Sequence, residues 1–481
     1  MPKIVFLWTD VVLYAMVLLL VWYGWRIAIN ANLRATWDKV LRDPAALSAA
    51  IVLVLFSVVT LLDSVHFRRA LAAAPTADSS ARVSYAPTTE SLLDVLLARQ
   101  IATREIGYSQ PLAYKGFTKE PKKEGGMAVR VFPRLKFGGA QLADPDAQWA
   151  GDIAMRTLVG VAGGLVVAAL AALMTAFAVR RAHGGSTGTA LRDIAADRTH
   201  IPLRAALITF AVVCLIAGPV VAMMTDYHVL GTDRTGNDVL YQSLKSVRTA
   251  FVIGTLATVA TLPFALVLGV LAGYFKGWVD EVIQYLYTTL SSVPNVLLIA
   301  ACVLMVQVFL DQHSEMFETG SERSDLKIFL LCVILGLTGW ATLCRLIRGE
   351  TLKLRELDFV QAATAFGVDH ARIMARHIVP NVMHLVLITT VLSFSDLILY
   401  EAVLTYVGVG VDPSMNSFGG MINLARTQMS GDPVVWWSFV SAFTFMVTLV
   451  LAANLFADGV RDAFDPRARS FRPRLRRAAM S

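Results

Sequence analysis

The sequence predicts an all-α polytopic membrane protein with about nine transmembrane helices, and three observations lead to this fold class. Of the 481 residues, 56% are hydrophobic and only 16% are charged, whereas a soluble protein of this length would carry about a quarter charged residues. The mean hydropathy is +0.59. Several apolar runs reach roughly 20 residues, which is the length that crosses a hydrocarbon core of about 30 Å as a helix.

The apolar runs place nine spans, in chain order, at 5–29, 45–66, 153–179, 203–225, 249–273, 282–310, 327–347, 381–401 and 435–457. The first run could imitate a cleaved signal peptide. However, it is long, follows a single Lys and lacks a clear small-x-small cleavage site, which favours a retained helix. The four cysteines fall within apolar runs without metal-ligand spacing, which favours buried apolar side chains: Cys214, Cys302, Cys332 and Cys344.

The distribution of Lys and Arg predicts the orientation. With nine spans, the Arg-rich segments 180–202 and 348–380 and the C-terminal tail share one side of the membrane. The positive-inside rule makes that side the cytoplasm, so the N-terminus and the long polar segment 67–152 are expected outside. The net charge of +7 is therefore interpreted as a topology signal, and no nucleic-acid partner is expected.

The segment 67–152, here called the insert, is the candidate for a sizeable extracytoplasmic domain. It has a helical pattern around Thr89–Glu105 and a more extended, aromatic-bearing stretch over 108–137. Two interpretations remain open. The insert caps the outside or touches a partner, or it is a partly ordered connector.

The segment 358–380 is polar and helix-prone, and it lies between two apolar runs. Asp358 can cap a first helix, and Gln361 three residues later completes a capping box. The same helix places two aromatic and two small residues on one face: Phe359, Ala362, Ala363 and Phe366.

A glycine corner is expected to follow this first helix. Gly367 stands where a helix ends with positive φ, and Asp369 can cap a second helix in which Met374 and Ile378 repeat at i+4. Pro380 marks the end of that helix or the entry to the next span. Such a hairpin suits a groove on another protein, or it rests on lipid head groups.

The pattern of this segment resembles the EAA loop of binding-protein-dependent ABC importer permeases. The matching residues are Gln361, Ala362, Ala363 and Gly367, followed by His377-Ile378-Val379-Pro380. The family often has Glu at the first position. The resemblance implies that 358–380 is a coupling helix, which docks into a cleft of a cytoplasmic ATPase and transmits its closure to the spans.

Three further stretches are similar to the C-type subunits of oligopeptide and dipeptide importers. They are 273–280, the paired closing signatures 404–410 and 458–466, and an opening segment 228–238 with Gly231, Thr232, Asp233, Gly236 and Asp238. Together with the loop they cover 226–469 in family order. Typical members have one span before the opening segment, whereas this chain has four spans and the insert.

The resemblance carries expectations about organisation and partners. It implies a type I ABC importer-like core in the C-terminal half, a B-type sister permease, two ABC ATPase subunits or domains, an extracytoplasmic solute-binding protein and a peptide-like substrate in a bacterial inner membrane. ATP and Mg are expected on the partners, with no cofactor or metal on this chain. The expected regions are 1–66 and 153–225 (additional helices), 67–152 (the insert), 226–469 (permease core) and 470–481 (basic tail).

The eighth span contains two acidic residues, Asp396 and Glu401. A carboxylate at mid-bilayer costs roughly 2.5–3.5 kcal/mol on insertion scales, so it usually faces protein or water. Asp396, the deeper one, either lines a path or pairs within the bundle, while Glu401 lies near the predicted outer end.

Other features concern packing and chemistry. Gly269, Gly273 and Gly277 predict a close helix crossing, with Gly277 favoured as part of a turn, and Pro263 and Pro294 predict bends. The sequence has no G-x-x-x-x-G-K-[ST] phosphate cradle and no catalytic motif, which argues against a membrane enzyme. An ion-driven carrier would show paired half-repeats, and none is evident.

Overall fold

The structure, a computed structural model, describes residues 2–70, 85–124, 127–183, 186–317, 319–431 and 433–464. Its helices are α1 (Trp8–Ile29), α2 (Ala31–Leu41), α3 (Pro44–Asp63), α4 (Leu92–Leu96), α5 (Ala98–Ala102), α6 (Pro145–His183), α7 (Thr187–Ala195), α8 (Leu203–Met223), α9 (Val239–Phe275), α10 (Gly277–Ser292), α11 (Asn295–Gln312), α12 (Gly320–Arg355), α13 (Asp358–Ala365), α14 (His370–Ile373), α15 (Val379–Tyr406), α16 (Phe418–Met429) and α17 (Trp437–Phe464). The tail at 470–481 lies outside the described residues.

Short strands join the N-terminus, the end of α3 and the insert. A three-stranded antiparallel sheet has the order β1 (Lys3–Val5), β2 (His66–Arg68) and β3 (Glu90–Ser91). A hairpin in the insert is formed by β4 (Glu120–Glu124) and β5 (Met127–Val131). The end of the bundle that carries these strands is called the insert end, and the opposite end, which carries 358–380, is called the loop end.

Nine helices within the described ranges are long and apolar enough to cross a membrane, which confirms the predicted all-α fold with about nine spans. One predicted span is wrong in its bounds. The run at 282–310 is not one helix, because α10 ends at Ser292 and α11 begins at Asn295. Val293 adopts extended φ and ψ before Pro294, as expected for a residue that precedes proline, so α11 alone forms this span. Pro263 lies within α9, which continues past it.

The centre of the core is the crossing of α9 and α12. A Cβ atom added to Gly269 would lie 2.8 Å from the Cβ of Ile347, and one added to Gly273 would lie 2.5 Å from the Cβ of Thr351. Real Cβ atoms do not approach so closely, so both glycines permit the helices to touch along their backbones. The predicted close crossing is confirmed, and Gly277, with φ of +57°, lies at the turn into α10 as expected.

A buried charged cluster at the insert end joins the first helices to the core. The guanidinium of Arg248 in α9 lies 2.6 Å from Asp10 in α1 and 3.7 Å from Asp325 at the start of α12. The same Asp10 lies 2.7 Å from the imidazole of His66 in β2. Nearby, Lys245 contacts the carboxylate of Asp63 at 2.6 Å and that of Asp94 in the insert at 3.0 Å. The first helices, the insert and the start of α12 therefore meet around one face of α9.

Candidate functional site

The insert is docked on the segment 228–238 that precedes α9. The Thr232 hydroxyl donates to the Gly107 carbonyl at 2.7 Å and accepts from the Ser109 backbone N–H at 2.7 Å. The Glu105 backbone N–H donates to the Gly236 carbonyl at 3.0 Å. The insert is therefore hydrogen-bonded to the core through this segment.

The two glycines of this segment have different neighbours, but both adopt a positive φ. Gly231 and Gly236 adopt φ of +75° and +79°, a region that favours glycine. A Cβ on Gly236 would also lie 2.5 Å from the carbonyl carbon of Glu105. The acidic residues shape the turn, because Asp233 accepts from the backbone N–H of Asn237 and Asp238 caps α9.

His228 lies buried between two carboxylates. Its Nδ1 is 2.8 Å from Asp238 Oδ2 and its Nε2 is 3.6 Å from Glu105 Oε1. Burial alone would lower the pKa of His228, but the hydrogen bond to Asp238 and the negative charges of Asp238 and Glu105 outweigh it and raise the pKa to about 9. The imidazole is therefore charged at neutral pH.

Glu105, the partner of His228 in the insert, also ties two parts of the insert together. Its carboxylate accepts hydrogen bonds from the backbone N–H groups of Lys136, Phe137 and Gly138 at 2.8–3.0 Å. Burial would raise the pKa of Glu105, but the neighbouring His228 and these three N–H groups lower it to about 2. Sequence reasoning missed this residue, since nothing local marks a carboxylate whose partners lie 30 residues away.

The loop 358–380 forms the short helix α13, as predicted, but its second helical part is not a separate short helix: α14 continues through a π-helix (Met374–Ile378) into α15. The predicted capping box is also wrong. Leu357 is the residue that caps α13, Asp358 is its first helical residue, and no side chain caps the end. Gln361 instead donates from Nε2 to the Glu356 carbonyl at 3.1 Å. Because α12 and α13 are separated by only two residues, the free carbonyls at the end of α12 attract the amide of Gln361.

One face of the loop is fixed to the core. Val360, Ile373 and Ile378 are buried in the apolar cluster formed with α9, α12 and α15, and Ala363 packs partly against it. The predicted cap of the second helix is confirmed, because Asp369 accepts from the backbone N–H groups at the start of α14, but Met374 and Ile378 lie in the π-helix and not in a regular α-helical repeat. One face of the loop is therefore packed into the core.

The opposite face of the loop is exposed. Phe366 is 87% exposed and Phe359 about half exposed, with the ring of Phe359 beside that of His377. Ala362 is also exposed. Gly367 makes the corner with φ of +73°, and Pro380 lies in the first turn of α15, so it marks the entry to the span. A small apolar tip therefore projects from a fixed base.

One contact joins the loop to the end of α9 and two join the end of α12 to it, and sequence reasoning missed all three. The Tyr274 hydroxyl hydrogen-bonds His370 Nδ1 at 2.7 Å, and Arg355 donates to the Tyr274 carbonyl. Lys276 forms an ion pair with Glu356 at 2.8 Å. The sequence did mark Tyr274 and Lys276, because the stretch 273–280 resembles the family, but the resemblance does not indicate which residues they contact.

The two acidic residues of α15 face different surroundings. Asp396 is exposed on the bundle surface, whereas Glu401 is fully buried and accepts a hydrogen bond from the Thr405 hydroxyl at 2.8 Å. Its second oxygen has no hydrogen-bond partner. Among the described residues, no cluster of His, Cys, Asp and Glu has the arrangement of a metal site.

Comparison with known proteins gives this arrangement a family. The profile of the family described as binding-protein-dependent transport system inner membrane component matches residues 265–470. The oligopeptide transport system permease protein OppC of Mycobacterium tuberculosis is 32% identical over 249 residues, which cover 52% of this chain and 79% of the relative. The chain belongs to this family.

Other relatives of this transport component carry related names. The dipeptide transport system permease protein DppC of Alkalihalophilus pseudofirmus is 30% identical over 243 residues, covering 50% of this chain and 73% of the relative. The glutathione transport system permease protein GsiD of Pectobacterium atrosepticum is 31% identical, covering 50% and 74%. The loop and Asp396 both lie inside the region that the family profile matches.

Proposed function

We propose that this transport component is the C-type permease subunit of an ATP-driven importer of dipeptides, oligopeptides or related solutes. The proposal includes a B-type permease, two ABC ATPase subunits or domains and an extracytoplasmic solute-binding protein. ATP and Mg would be bound by the ATPases. The names of the relatives support the solute class.

The observation that carries the coupling role is the shape of the loop 358–380. Its base is buried in the core while Phe366 is 87% exposed. An exposed apolar tip on a fixed base suits insertion into a groove of a partner. The loop end would then be cytoplasmic, as the Arg-rich segments suggest, and the bundle would be multi-pass in a bacterial inner membrane. The loop would pass ATPase closure to α9 and α15.

Exposure also supports a path role for Asp396. An ionisable group on the surface of a span meets water or protein rather than lipid, so Asp396 would face the path or the sister permease. Glu401 would reach a path only in a conformation that opens its present packing. The additional helices and the insert would form an accessory unit in front of the core at 226–469.

Affinity purification of the tagged chain from native membranes in mild detergent, followed by intact-complex mass spectrometry, tests the assembly. A complex with a second permease and ATPases supports the proposal. A lone chain or homo-oligomer, under conditions that preserve other importers, would refute it.

A matched pair of variants tests the loop. Phe366→Ser should abolish retention of the ATPase, because it removes the exposed tip without disturbing the buried base. Trp278→Ser is the control, since Trp278 is 75% exposed at the same end in α10 but lies outside the loop. Undiminished ATPase retention by Phe366→Ser would contradict the coupling role.

A further inference from the structure

A cavity of about 450 Å³ lies inside the bundle, between the first helices and the core. Its walls come from α1 and α3 on one side and from α9, α15 and α17 on the other. The lining is formed by aliphatic, aromatic and small hydroxyl side chains, among them Leu20, Ser57, Val259, Phe394 and Ala453. All five helices are membrane spans, so the cavity lies at the depth of the hydrocarbon core.

The hydroxyl groups of the cavity do not make it polar. Each of them donates to a carbonyl of its own helix one turn earlier: Ser57, Thr60, Thr255, Thr258 and Thr390. Their donors are therefore used, and they present mainly methyl and methylene groups. A buried water needs two to four polar partners, and a peptide would leave its amides without partners here.

Contacts between neighbouring helices lie near both ends of the cavity, and exposed lining side chains mark its opening. At the insert end, the Tyr14 hydroxyl bonds the Ser64 carbonyl beside the charged cluster of Arg248. At the loop end, Phe456 packs in a cluster with Trp37 of α2. Between these ends, two lining side chains are themselves exposed, Leu20 by 61% and Val259 by 44%. The opening therefore faces the surroundings at membrane depth.

We propose that an acyl chain of a membrane phospholipid occupies this cavity. The size falls in the range of ligand pockets, the lining offers no free donor, and the opening faces the region where acyl chains are the solvent. The chain would fill the space between α1 and α3 and so join the additional helices to the core. This role is independent of the proposed function.

Filling the cavity tests the proposal. Ser57→Phe places a ring in the space, while Val54→Phe is the matched control on the same helix, because Val54 is 62% exposed and does not line the cavity. Phospholipid retained per chain after extensive detergent washing is counted by native mass spectrometry. We expect the wild type and Val54→Phe to retain one phospholipid more than Ser57→Phe. Equal retention by all three would overturn the proposal.

Two further measurements cover other outcomes. If Ser57→Phe does not fold, Ala453→Leu fills the cavity from the opposite wall in α17 and should lose the same phospholipid. A phospholipid with a photoreactive diazirine at its acyl terminus should label cavity residues of α3 and α9. Labelling of outer faces only would refute the site. Displacement of the label by an apolar tripeptide would identify a substrate site instead and would also overturn the proposal.

Discussion

His228 illustrates how a single charge holds the insert on the core. Replacement by Gln should weaken this docking by about 3–5 kcal/mol, because it leaves buried carboxylates without their cationic partner. The measurement is the rate of limited proteolysis within the insert of the purified protein. His200→Gln, at an exposed position, is the control and should not change the rate. Unchanged protection in His228→Gln would contradict the role of this ion pair.

The same site predicts a pH profile. The pKa of His228 rises from 6.5 to about 9 in the fold, so its contribution is complete below pH 6.5 and is lost as the pH rises through 9. The pKa of Glu105 falls from 4.5 to about 2, so its contribution is complete above pH 4.5 and is lost as the pH falls through 2. Protection of the insert should therefore be greatest between pH 4.5 and 6.5. In His228→Gln the loss at high pH should disappear.

Asp396 carries a prediction that depends on the proposed function. If this exposed carboxylate meets the solute, Asp396→Asn should lower peptide uptake several-fold and change its pH dependence, because the variant cannot be ionised. Asp144→Asn, in the exposed part of the insert, provides the control. Uptake in proteoliposomes with the assembled partners is the measurement. The same uptake and pH profile as in the wild type would exclude the path role.

At the scale of helices, the α9–α12 crossing predicts opposite effects for two glycines. Gly273→Ala should destabilise the protein by about 1–3 kcal/mol, because its Cβ has no room beside Thr351. Gly349→Ala in α12 should be neutral or stabilising by up to about 1 kcal/mol, since a Cβ there meets nothing within 4 Å and alanine favours the helix. Thermal unfolding in detergent distinguishes them. Equal effects would contradict the crossing as described.

The helices could be predicted where a single local property, such as a long apolar run or a capping residue, determines them. Long apolar runs gave the nine spans, Gly367 gave the corner, and Asp369 gave the second cap. The bounds at 282–310 were wrong because hydropathy does not register the break before Pro294. The capping box at Asp358 was wrong because the proximity of α12 redirects the Gln361 side chain, and a local motif does not contain that information.

Contacts between distant parts of the chain were not predictable in this way. The docking of the insert could not be predicted, since the pairing of Thr232 with Gly107 and Ser109 and of Glu105 with Gly236 depends on tertiary position. The candidate loop was found because its residues are neighbours in sequence. Asp10 and Arg248 were two charges in or beside apolar runs, but nothing in the sequence paired them with each other.

For the whole molecule, the cluster around Arg248 predicts cooperative unfolding of the first helices and the core. Arg248→Gln should lower the stability by about 3–5 kcal/mol, because the buried carboxylates of Asp10 and Asp325 lose the guanidinium between them, and Asp10→Asn added to it should recover part of the loss. Arg204→Gln, exposed on α8, is the control. Asp10→Asn alone completes the cycle, and thermal melting of the five proteins provides the comparison. Additive losses in the double variant would argue against a shared cluster.

The pairing of Asp10 with Arg248 also bears on how the chain is made. The two residues are separated by 238 positions, and at roughly 5–20 residues per second a ribosome needs about 12–48 s to synthesise that interval. During this time the first helix is in the translocation machinery or the bilayer, and of the two partners of its carboxylate only His66 is made early. Asp10 is the third residue of α1, so it can remain at the aqueous boundary while it waits. The first helix therefore reaches its final position late, when α9 emerges and supplies the guanidinium of Arg248.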